Sequence, residues 1–482
     1  MLKVDDNLLT ELPNGLSRLN NLFQLDVRGN SITFLPVEFG KLTMLKIFDI
    51  KRNPIVQPPL DVCLLGVESI KTYYEDLAKS ERVSTVHRKV VLLGESFAGK
   101  TSMKNALQTG ESHLTKVRDR TQCMNIDSWC SKIGGESLEI RVCDFGGHDV
   151  YTLTHQFFLS EGSLHLLVVN LKTYRRRQTA FNRAVRFWLE SVDSRVVNAV
   201  VYLVGTHADR LTAGEIEGKT RDIKDRVMKY IEERRKHLHS QIEEVETQLV
   251  KARDEAEYVM RAYASRKLER LQRKVEKLRC ELDSGLKFLK NGDVAVVSSK
   301  DMTGITDLKT DVFKISVDKD LFPSAHCVLP RSWINMEKLL KLEGEKSSNI
   351  SLSWEECVHL GSKLNLVSNG MEAVMGYLHK TGSVLHYRGD VLQNVVFPDP
   401  TQLITLLKLI FDHDQERLLG ALRQNSKMST EEFSVVQNNF VRRAILPKGV
   451  LLKHFSKNKT TTDDFDHHQG AGDICHPARR RT

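Results

Sequence analysis

A phosphate-binding loop between a strand and a helix constrains this chain more than any other feature. Residues 90–93 form an apolar run that predicts a buried strand, and residues 102–108 predict the helix that follows. Between them lie a glycine, four residues and then Gly-Lys-Thr, in the order Gly94-Glu95-Ser96-Phe97-Ala98-Gly99-Lys100-Thr101. This is the complete phosphate-loop pattern. A chance turn with the same residues is the alternative, and the flanking strand and helix argue against it.

The residue types of this loop suit the binding of a nucleotide with Mg²⁺. Gly94 and Gly99 let the backbone approach phosphate oxygens, while the amides of the loop point inward as donors. The predicted helix, which begins at Ser102, presents the positive end of its dipole to the same anion. Lys100 can stabilise charge on the β- and γ-phosphates during catalysis, and the hydroxyl of Thr101 can bind Mg²⁺.

The segment around this loop has the element order of an α/β domain. At 482 residues the chain is too long for one ordinary core, and three domains are expected. From residue 88 to residue 316, predicted helices alternate with apolar runs at residues 90–93, 138–143, 164–170, 199–205 and 294–298. This pattern predicts a parallel sheet covered on both faces, with ligands at the carboxyl ends of its strands.

A second candidate site follows the predicted strand that ends at residue 143. The segment is Asp144-Phe145-Gly146-Gly147-His148. A carboxylate at Asp144 can hold Mg²⁺ through water, and the backbone N–H of Gly147 can reach a γ-phosphate. His148 then falls where a side chain can orient the attacking water, although a surface histidine after a turn is the alternative.

A third candidate site, Thr206-His207-Ala208-Asp209, follows another predicted strand. The carboxylate of Asp209 can accept both N1–H and N2–H of guanine, which adenine does not offer, and a carboxylate buried against the wrong base is costly. His207 can stack on the base. The alternative is that Asp209 only caps a helix.

Two further segments complete the predicted nucleotide site. Ser298, Ser299 and Lys300 follow the last predicted strand, where their backbone can meet the O6 atom of guanine. Thr121, between the phosphate loop and the second strand, is the candidate for a switch threonine that binds Mg²⁺ and closes on the γ-phosphate.

Residues 1–62 carry an internal repeat. Asparagines at positions 7, 30 and 53 are spaced by 23 residues, and a proline follows each after six residues. The leucine pattern around them is that of leucine-rich repeats, which bind partners on a concave face. Because the chain opens inside a repeat, we expect a fragment or a shortened isoform. Residues 63–87 predict a linking helix that packs on the next domain or caps the repeats.

The remaining segments are mostly helical. Residues 213–290 carry a heptad pattern with a break at residues 263–267, which predicts an antiparallel hairpin, or else an intermolecular coiled coil. Residues 317–455 predict helices with a small hairpin, and residues 456–482 predict a disordered tail. The small hairpin and the helices within residues 317–455 also suggest a winged-helix unit, but no basic recognition helix supports binding of nucleic acid.

Composition bears on the compartment. The eight cysteines contain no Cys-x-x-Cys pair, which in a chain of this length indicates reduced thiols and a cytoplasmic location. No apolar run approaches the ~20 residues that span a bilayer, so no transmembrane segment is expected.

The motifs and their order resemble the small GTPases, and with the repeats and the helical segment they resemble the Roco family more closely, in its kinase-less vertebrate branch. The resemblance implies an α/β fold: a Ras-like P-loop GTPase sheet (Roc) flanked by a short leucine-rich repeat solenoid and a mostly helical COR-like domain. It implies GTP/GDP and Mg²⁺ as ligands, slow GTP hydrolysis, and a switch or scaffold role in intracellular signalling.

The resemblance also has consequences for partners and for rate. It implies protein partners at the repeats, the 213–290 insertion and the COR-like domain, and homodimers are one expectation. A signalling scaffold with a structural nucleotide and no significant hydrolysis is the alternative. His148 stands where Ras-like proteins use glutamine, and Thr206 and His207 replace asparagine and lysine.

Overall fold

The computed structural model describes most of the chain. The described residues are 1–116, 121, 124–133, 136–146, 159–256, 261–322, 328–346, 351–366, 368–387, 392–401, 403–404, 419–420, 423 and 429–443. Gly147, His148 and the predicted tail therefore lie outside them.

Short and long strands alternate with helices along the chain. The strands are β1 (Leu2–Lys3), β2 (Gln24–Asp26), β3 (Ile47–Asp49), β4 (Arg82–Leu93), β5 (Met124–Ile133), β6 (Glu136–Phe145), β7 (Leu164–Asn170), β8 (Val200–Thr206), β9 (Lys287–Phe288), β10 (Ala295–Val296), β11 (Val328–Pro330), β12 (Leu352–Ser353), β13 (Leu385–His386) and β14 (Val395–Phe397). The helices are α1 (Leu60–Leu64), α2 (Val67–Lys79), α3 (Lys100–Thr109), α4 (Gln178–Phe181), α5 (Phe187–Asp193), α6 (Ala213–Ala256), α7 (Arg261–Asp283), α8 (Ile305–Ser316), α9 (Arg331–Lys346), α10 (Trp354–Ser362), α11 (Ser368–Lys380) and α12 (Thr430–Arg443). A π-helical turn, Asn182–Arg186, joins α4 to α5.

The chain divides into two compact units. The first comprises residues 1–89, 122–158 and 313–482, and the second comprises residues 90–121 and 159–312. Strand β4 passes from the first unit into the second. Strands β5 and β6 thus belong to the first unit, whereas the sequence pattern predicts one domain over residues 88–316.

The first unit begins with three parallel strands that repeat with a fixed register. Leu2 of β1 pairs with Leu25 of β2, which pairs with Phe48 of β3, so each partner lies 23 residues further along the chain. The asparagines explain this period, because each buried amide bonds the backbone of two successive turns. The side chain of Asn53, for example, donates to the carbonyl oxygens of Val27 at 2.9 Å and of its own turn at 3.0 Å.

Helix α2 shares one apolar core with the repeats and with the C-terminal segment. On the repeat side, the hydroxyl of Tyr74 donates to the carbonyl oxygen of Leu35. On the other side, the hydroxyl of Tyr73 donates to the carbonyl oxygen of Val328 at 2.5 Å, and the indole of Trp333 donates to Asp76 at 3.2 Å. The helix thus packs on both segments.

The first unit also contains an antiparallel pair, β5 and β6, in which Met124 pairs with Phe145 and Ile133 with Glu136. Within this unit β6 lies between β4 and β5. Arg141 of β6 is 12% exposed and forms an ion pair with Glu337 of α9. Its Nε lies 3.2 Å from an oxygen of Glu139. The antiparallel pair is therefore tied to the C-terminal helices by charged groups with little exposure.

The second unit is built on parallel strands. The last residues of β4 pair with β7, β7 pairs with β8, and β8 pairs with β10, all in parallel. Every residue of β8 is buried, as are all but the last of β7. Strands that are apolar on both faces require helices on both sides. The α/β class predicted from the sequence is confirmed.

The long insertion folds back on itself within the second unit. Leu238, Ile242 and Val245 of α6 pack against Val275 and Leu278 of α7. A second tie is an ion pair of 2.6 Å between side chains of the two helices, those of Glu246 and Arg279. The paired helices match the hairpin alternative. The predicted position of the fold-back, at residues 263–267, is wrong, because these residues lie inside α7, which begins at Arg261.

Among the described residues, no helix combines the length and the apolar character that crossing a membrane requires.

Candidate functional site

The phosphate loop owes its shape to two glycines with positive φ angles. Gly94 has φ +139° and Gly99 has φ +85°. A Cβ at Gly94 would lie 2.2 Å from the carbonyl oxygen of Val168 in β7, so no other residue fits there. Phe97 also has a positive φ, 63°, and its side chain is exposed. Glu95 and Ser96 are half-buried, and Ala98 is buried.

Two side chains from neighbouring strands hold the loop in place. Asn170, the last residue of β7, donates to the carbonyl oxygen of Phe97 at 2.9 Å. Thr206, the last residue of β8, donates to the carbonyl oxygen of Ala98 at 2.6 Å. Sequence reasoning found Thr206 but missed Asn170. The available signal was a polar residue at the end of an apolar strand that leads to the same edge of the sheet.

Lys100 lies inside the curve of the loop. Its ammonium donates to the carbonyl oxygens of Gly94 at 2.7 Å and of Glu95 at 2.8 Å, and the side chain is buried. The same residue is the first of α3, whose amides open towards the loop. An incoming phosphate therefore meets a fixed positive charge and the positive end of a helix dipole.

Two threonine hydroxyls meet beside the start of α3. Oγ1 of Thr101 lies 2.7 Å from Oγ1 of Thr121. Octahedral Mg²⁺ binds oxygen at ~2.0–2.1 Å, which sets neighbouring ligands ~2.9 Å apart. The spacing of the two hydroxyls thus fits adjacent positions around Mg²⁺ with little movement. The hydroxyl oxygen of Ser102 accepts a hydrogen bond of 3.0 Å from the backbone N–H of Thr115, which holds Thr115 beside the first turn of α3.

The predicted base-reading segments come together at the ends of β8 and β10. The hydroxyl of Ser298 lies 3.2 Å from one oxygen of Asp209, and it accepts a bond of 3.3 Å from the backbone N–H of Lys300. The carbonyl oxygen of Ser299 accepts a bond of 2.9 Å from Ser112. The other oxygen of Asp209 lies 3.1 Å from Nε of Arg210. The carboxylate is therefore held from both sides while its side chain stays 11% exposed.

His207 lies over the phosphate loop with φ +62°. Its Nε2 is 3.5 Å from the position that a Cβ on Gly99 would occupy. Burial lowers the pKa of His207, and the Phe97 backbone and the Asp209 charge offset only part of that. The ring is thus neutral near pH 7. Among the described residues, its Nε2 is buried without a hydrogen-bond partner.

The second candidate site is only partly within the described chain. Asp144 is fully buried near the end of β6, in the first unit, and is paired in register with Asn125 of β5. Gly147 and His148 lie outside the described residues. In the part of the chain that the structure describes, no group of three or more His, Cys, Asp or Glu side chains is placed to hold a metal. The threonine hydroxyls therefore remain the observed Mg²⁺-compatible pair.

Comparison with known proteins places this chain in a family. Residues 89–209 match the family model described as Roc, Ras of Complex, Roc, domain of DAPkinase. The malignant fibrous histiocytoma-amplified sequence 1 homolog of Xenopus tropicalis is 30% identical over 425 residues, which are 87% of this chain and 41% of that protein. The Homo sapiens protein of that name is 30% identical over 400 residues, 80% of this chain and 37% of the relative.

This chain thus spans about two fifths of the length of these relatives. A solved structure, Methanosarcina barkeri Roco2 RocCORdC bound to GDP, aligns with a TM-score of 0.46 and 16% identity over 79% of this chain and 93% of that one. On its Roc match and its similarity to the histiocytoma-amplified proteins, the chain belongs to the Roco family, in the branch of the malignant fibrous histiocytoma-amplified sequence 1 proteins.

Proposed function

We propose that this protein binds GTP and GDP with Mg²⁺ and hydrolyses GTP slowly, as a nucleotide-dependent switch or scaffold in signalling. The observation that carries the proposal is the meeting of two sites within the second unit. Thr206 bonds the phosphate loop at Ala98, and three residues later Asp209 meets Ser298. One rigid strand end thereby links the phosphate loop to the base-reading carboxylate.

Phosphate binding in this proposal rests on Lys100 and the loop amides. The ammonium exchanges its bonds to two loop carbonyls for bonds to phosphate oxygens, which carry full charge and make stronger partners. Thr101 and Thr121 would hold Mg²⁺, and we propose Asp144 as a further ligand through water. The metal, when bound, neutralises charge on the β- and γ-phosphates.

Base selection in this proposal rests on Asp209. Its carboxylate accepts from N1–H and N2–H of guanine, while the backbone of residues 298–300 faces the O6 atom. Adenine offers neither of these donors, and a carboxylate left without donors costs roughly 1–3 kcal/mol. The lowered pKa of His207 favours an uncharged ring that can stack on the base.

Hydrolysis in this proposal depends on His148 and Gly147, which are assigned from sequence alone. The amide of Gly147 contacts the γ-phosphate, and His148 orients water or stabilises developing charge. Positioning and electrostatics then supply the rate, without a covalent intermediate. A histidine in place of glutamine supports a slow reaction.

Location and partners follow the same proposal. Cys63, Cys143 and Cys357 are buried free thiols, which supports a reducing cytoplasm. We propose protein partners at the repeats, at the α6–α7 hairpin and at the C-terminal helical segment, where homodimers would also form.

A single-turnover assay tests the hydrolysis. The protein is held in molar excess over Mg·GTP, and formation of GDP is followed by chromatography over hours. We expect complete conversion of bound GTP, faster than in buffer alone, and no conversion with Lys100→Ala. Binding of GTP without conversion would instead mean that the nucleotide is structural and the protein is a scaffold.

A further inference from the structure

An acidic side chain lies inside a loop that binds anions. Glu95 is the only acidic residue of the phosphate loop, residues 94–101. Its backbone carbonyl accepts from the ammonium of Lys100 at 2.8 Å and from the amide of Ala98 at 3.2 Å. The backbone of Glu95 therefore belongs to the cradle itself. A carboxylate attached there repels a polyphosphate unless a cation offsets its charge.

The structure supplies that cation from a neighbouring helix. Nε of Arg183 forms an ion pair with Oε1 of Glu95. Arg183 lies in the π-helical turn Asn182–Arg186, between α4 and α5. Such turns inside α-helices are rare and occur frequently at functional sites. The wider turn sets the arginine in a different position from that of a regular α-helix.

The exposure of the Arg183–Glu95 ion pair indicates that the pair contributes little to the stability of the fold. The side chain of Arg183 is 77% exposed and that of Glu95 is 28% exposed. Ion pairs in contact with water contribute little to folding. The same charges act on a bound polyphosphate with several negative charges, so their effect on anion affinity is larger than their effect on unfolding.

We infer that Arg183 is a positioning residue for nucleotide binding, which neutralises the Glu95 carboxylate and ties the phosphate loop to the π-helical turn. The inference rests on the proposed function. Arg183 acts through Glu95 and does not itself contact the nucleotide. Removal of the arginine should therefore expose the phosphates to the acidic charge, and removal of both charges should cancel most of that effect.

A double-mutant cycle on Arg183→Ala and Glu95→Gln tests this, with affinity for Mg·GDP measured by calorimetry. At low ionic strength we expect Arg183→Ala to weaken binding by about tenfold, and Glu95→Gln to tighten it two- to fivefold. In the Glu95→Gln background, Arg183→Ala should change affinity by less than about twofold. At 0.5 M salt the tenfold loss should shrink to less than about threefold, because exposed charges are screened.

Arg186 provides a matched control. It lies in the same π-helical turn, is exposed, and pairs with Glu190 at 2.8 Å and not with the phosphate loop. Arg186→Ala should leave the affinity for Mg·GDP within about twofold of the parent. Thermal unfolding of all variants should agree within ~2 °C, which separates a charge effect from damage to the fold.

Two results would overturn the inference. One is an equal loss on Arg183→Ala with and without Glu95→Gln, which would mean that Arg183 contacts the nucleotide directly. The other is a parent-like affinity of Arg183→Ala at low salt. If the unsubstituted protein preferred Mg·ADP, the proposed function would be wrong. The double-mutant cycle, measured with Mg·ADP, would still test whether Arg183 acts through Glu95. A parent that binds neither nucleotide refutes both.

Discussion

Replacement of Arg141 by methionine should destabilise the first unit strongly. Methionine retains an apolar stem of similar length but removes the guanidinium. That group pairs with Glu337, lies 3.2 Å from Glu139 through Nε, and donates to the carbonyl oxygen of Thr381 at 3.4 Å and to the hydroxyl of Ser383. The side chain of Glu337 is only 18% exposed. The variant therefore leaves a carboxylate with little access to water.

The magnitude follows from this uncompensated charge. Loss of one partner of a buried ion pair costs about 3–5 kcal/mol. We expect the lower end, about 3 kcal/mol, because Glu337 keeps some access to water. At roughly 2 °C per kcal/mol for a unit of this size, the unfolding temperature should fall by ~6 °C.

The effect should depend on pH in a defined direction. Burial raises the pKa of Glu337, but the charges of Arg141 and His87 and the hydrogen bonds from Arg141 and Ser383 together hold that pKa below its ordinary value. In the parent, Glu337 contributes stability above its unfolded pKa of ~4.3 that is lost as the pH falls through the folded pKa. In the variant the charge and the hydrogen bond of Arg141 are gone and burial still raises the pKa of Glu337, so protonation of Glu337 relieves the cost. The difference between parent and variant should be largest at pH 7 and should shrink towards pH 4.5.

Differential scanning calorimetry at several pH values measures this, with two companion variants. Glu337→Gln added to Arg141→Met should recover at least half of the loss, because the less exposed of the two carboxylates beside Arg141 is then uncharged. Arg331→Met is the exposed control, since Arg331 is 41% exposed and pairs at 3.0 Å with Glu81, which is 69% exposed. It should cost at most ~1 kcal/mol. Equal losses for the two arginine variants, or a loss that is the same at every pH, would refute the reasoning.

The remaining predictions concern the nucleotide site. Lys100→Ala should weaken Mg·GTP binding by more than about 100-fold in calorimetry while the protein stays folded, since a charge at the phosphates is lost; unchanged affinity would refute the phosphate-loop assignment. Asp209→Asn should shift preference from guanine towards xanthine nucleotides in competition assays, and equal competition by ATP and GTP in the parent would refute base reading. His148→Ala should slow single-turnover hydrolysis by about ten- to a thousand-fold with little change in affinity, and a parent-like rate from pH 6 to 8 would assign His148 to the surface.

The sequence was most informative where structure is dictated locally. Gly94 and Gly99 adopt positive φ angles that few other residues tolerate, so their spacing alone predicts the loop. The apolar runs of β7 and β8 predict buried parallel strands, because a strand covered on both faces is apolar along its whole length. The 23-residue spacing of asparagines reappears as the register of β1, β2 and β3 because the buried amides of Asn30 and Asn53 each bond two turns.

Contacts between distant residues were not predictable from the sequence. The motifs predict one nucleotide site for Asp209 and Ser298, but not the hydrogen bond between them across 89 residues, which depends on the pairing of β10 with β8. Arg141 and Glu337 are 196 residues apart, and neither belongs to a periodic pattern. Asn170 and Arg183 each act through one side chain, which leaves no motif to recognise. The roles of Asp144, Gly147 and His148 stay predictions.

The most direct test of guanine-nucleotide binding is to identify the nucleotide that the protein carries. The purified protein is denatured, and the released small molecules are separated by chromatography against nucleotide standards. A sample first incubated with equal Mg·GTP and Mg·ATP, then freed of unbound ligand, is treated in the same way. We expect GDP or GTP at about one per chain, with little adenine nucleotide. Adenine nucleotide in excess, or no nucleotide after incubation, would contradict it.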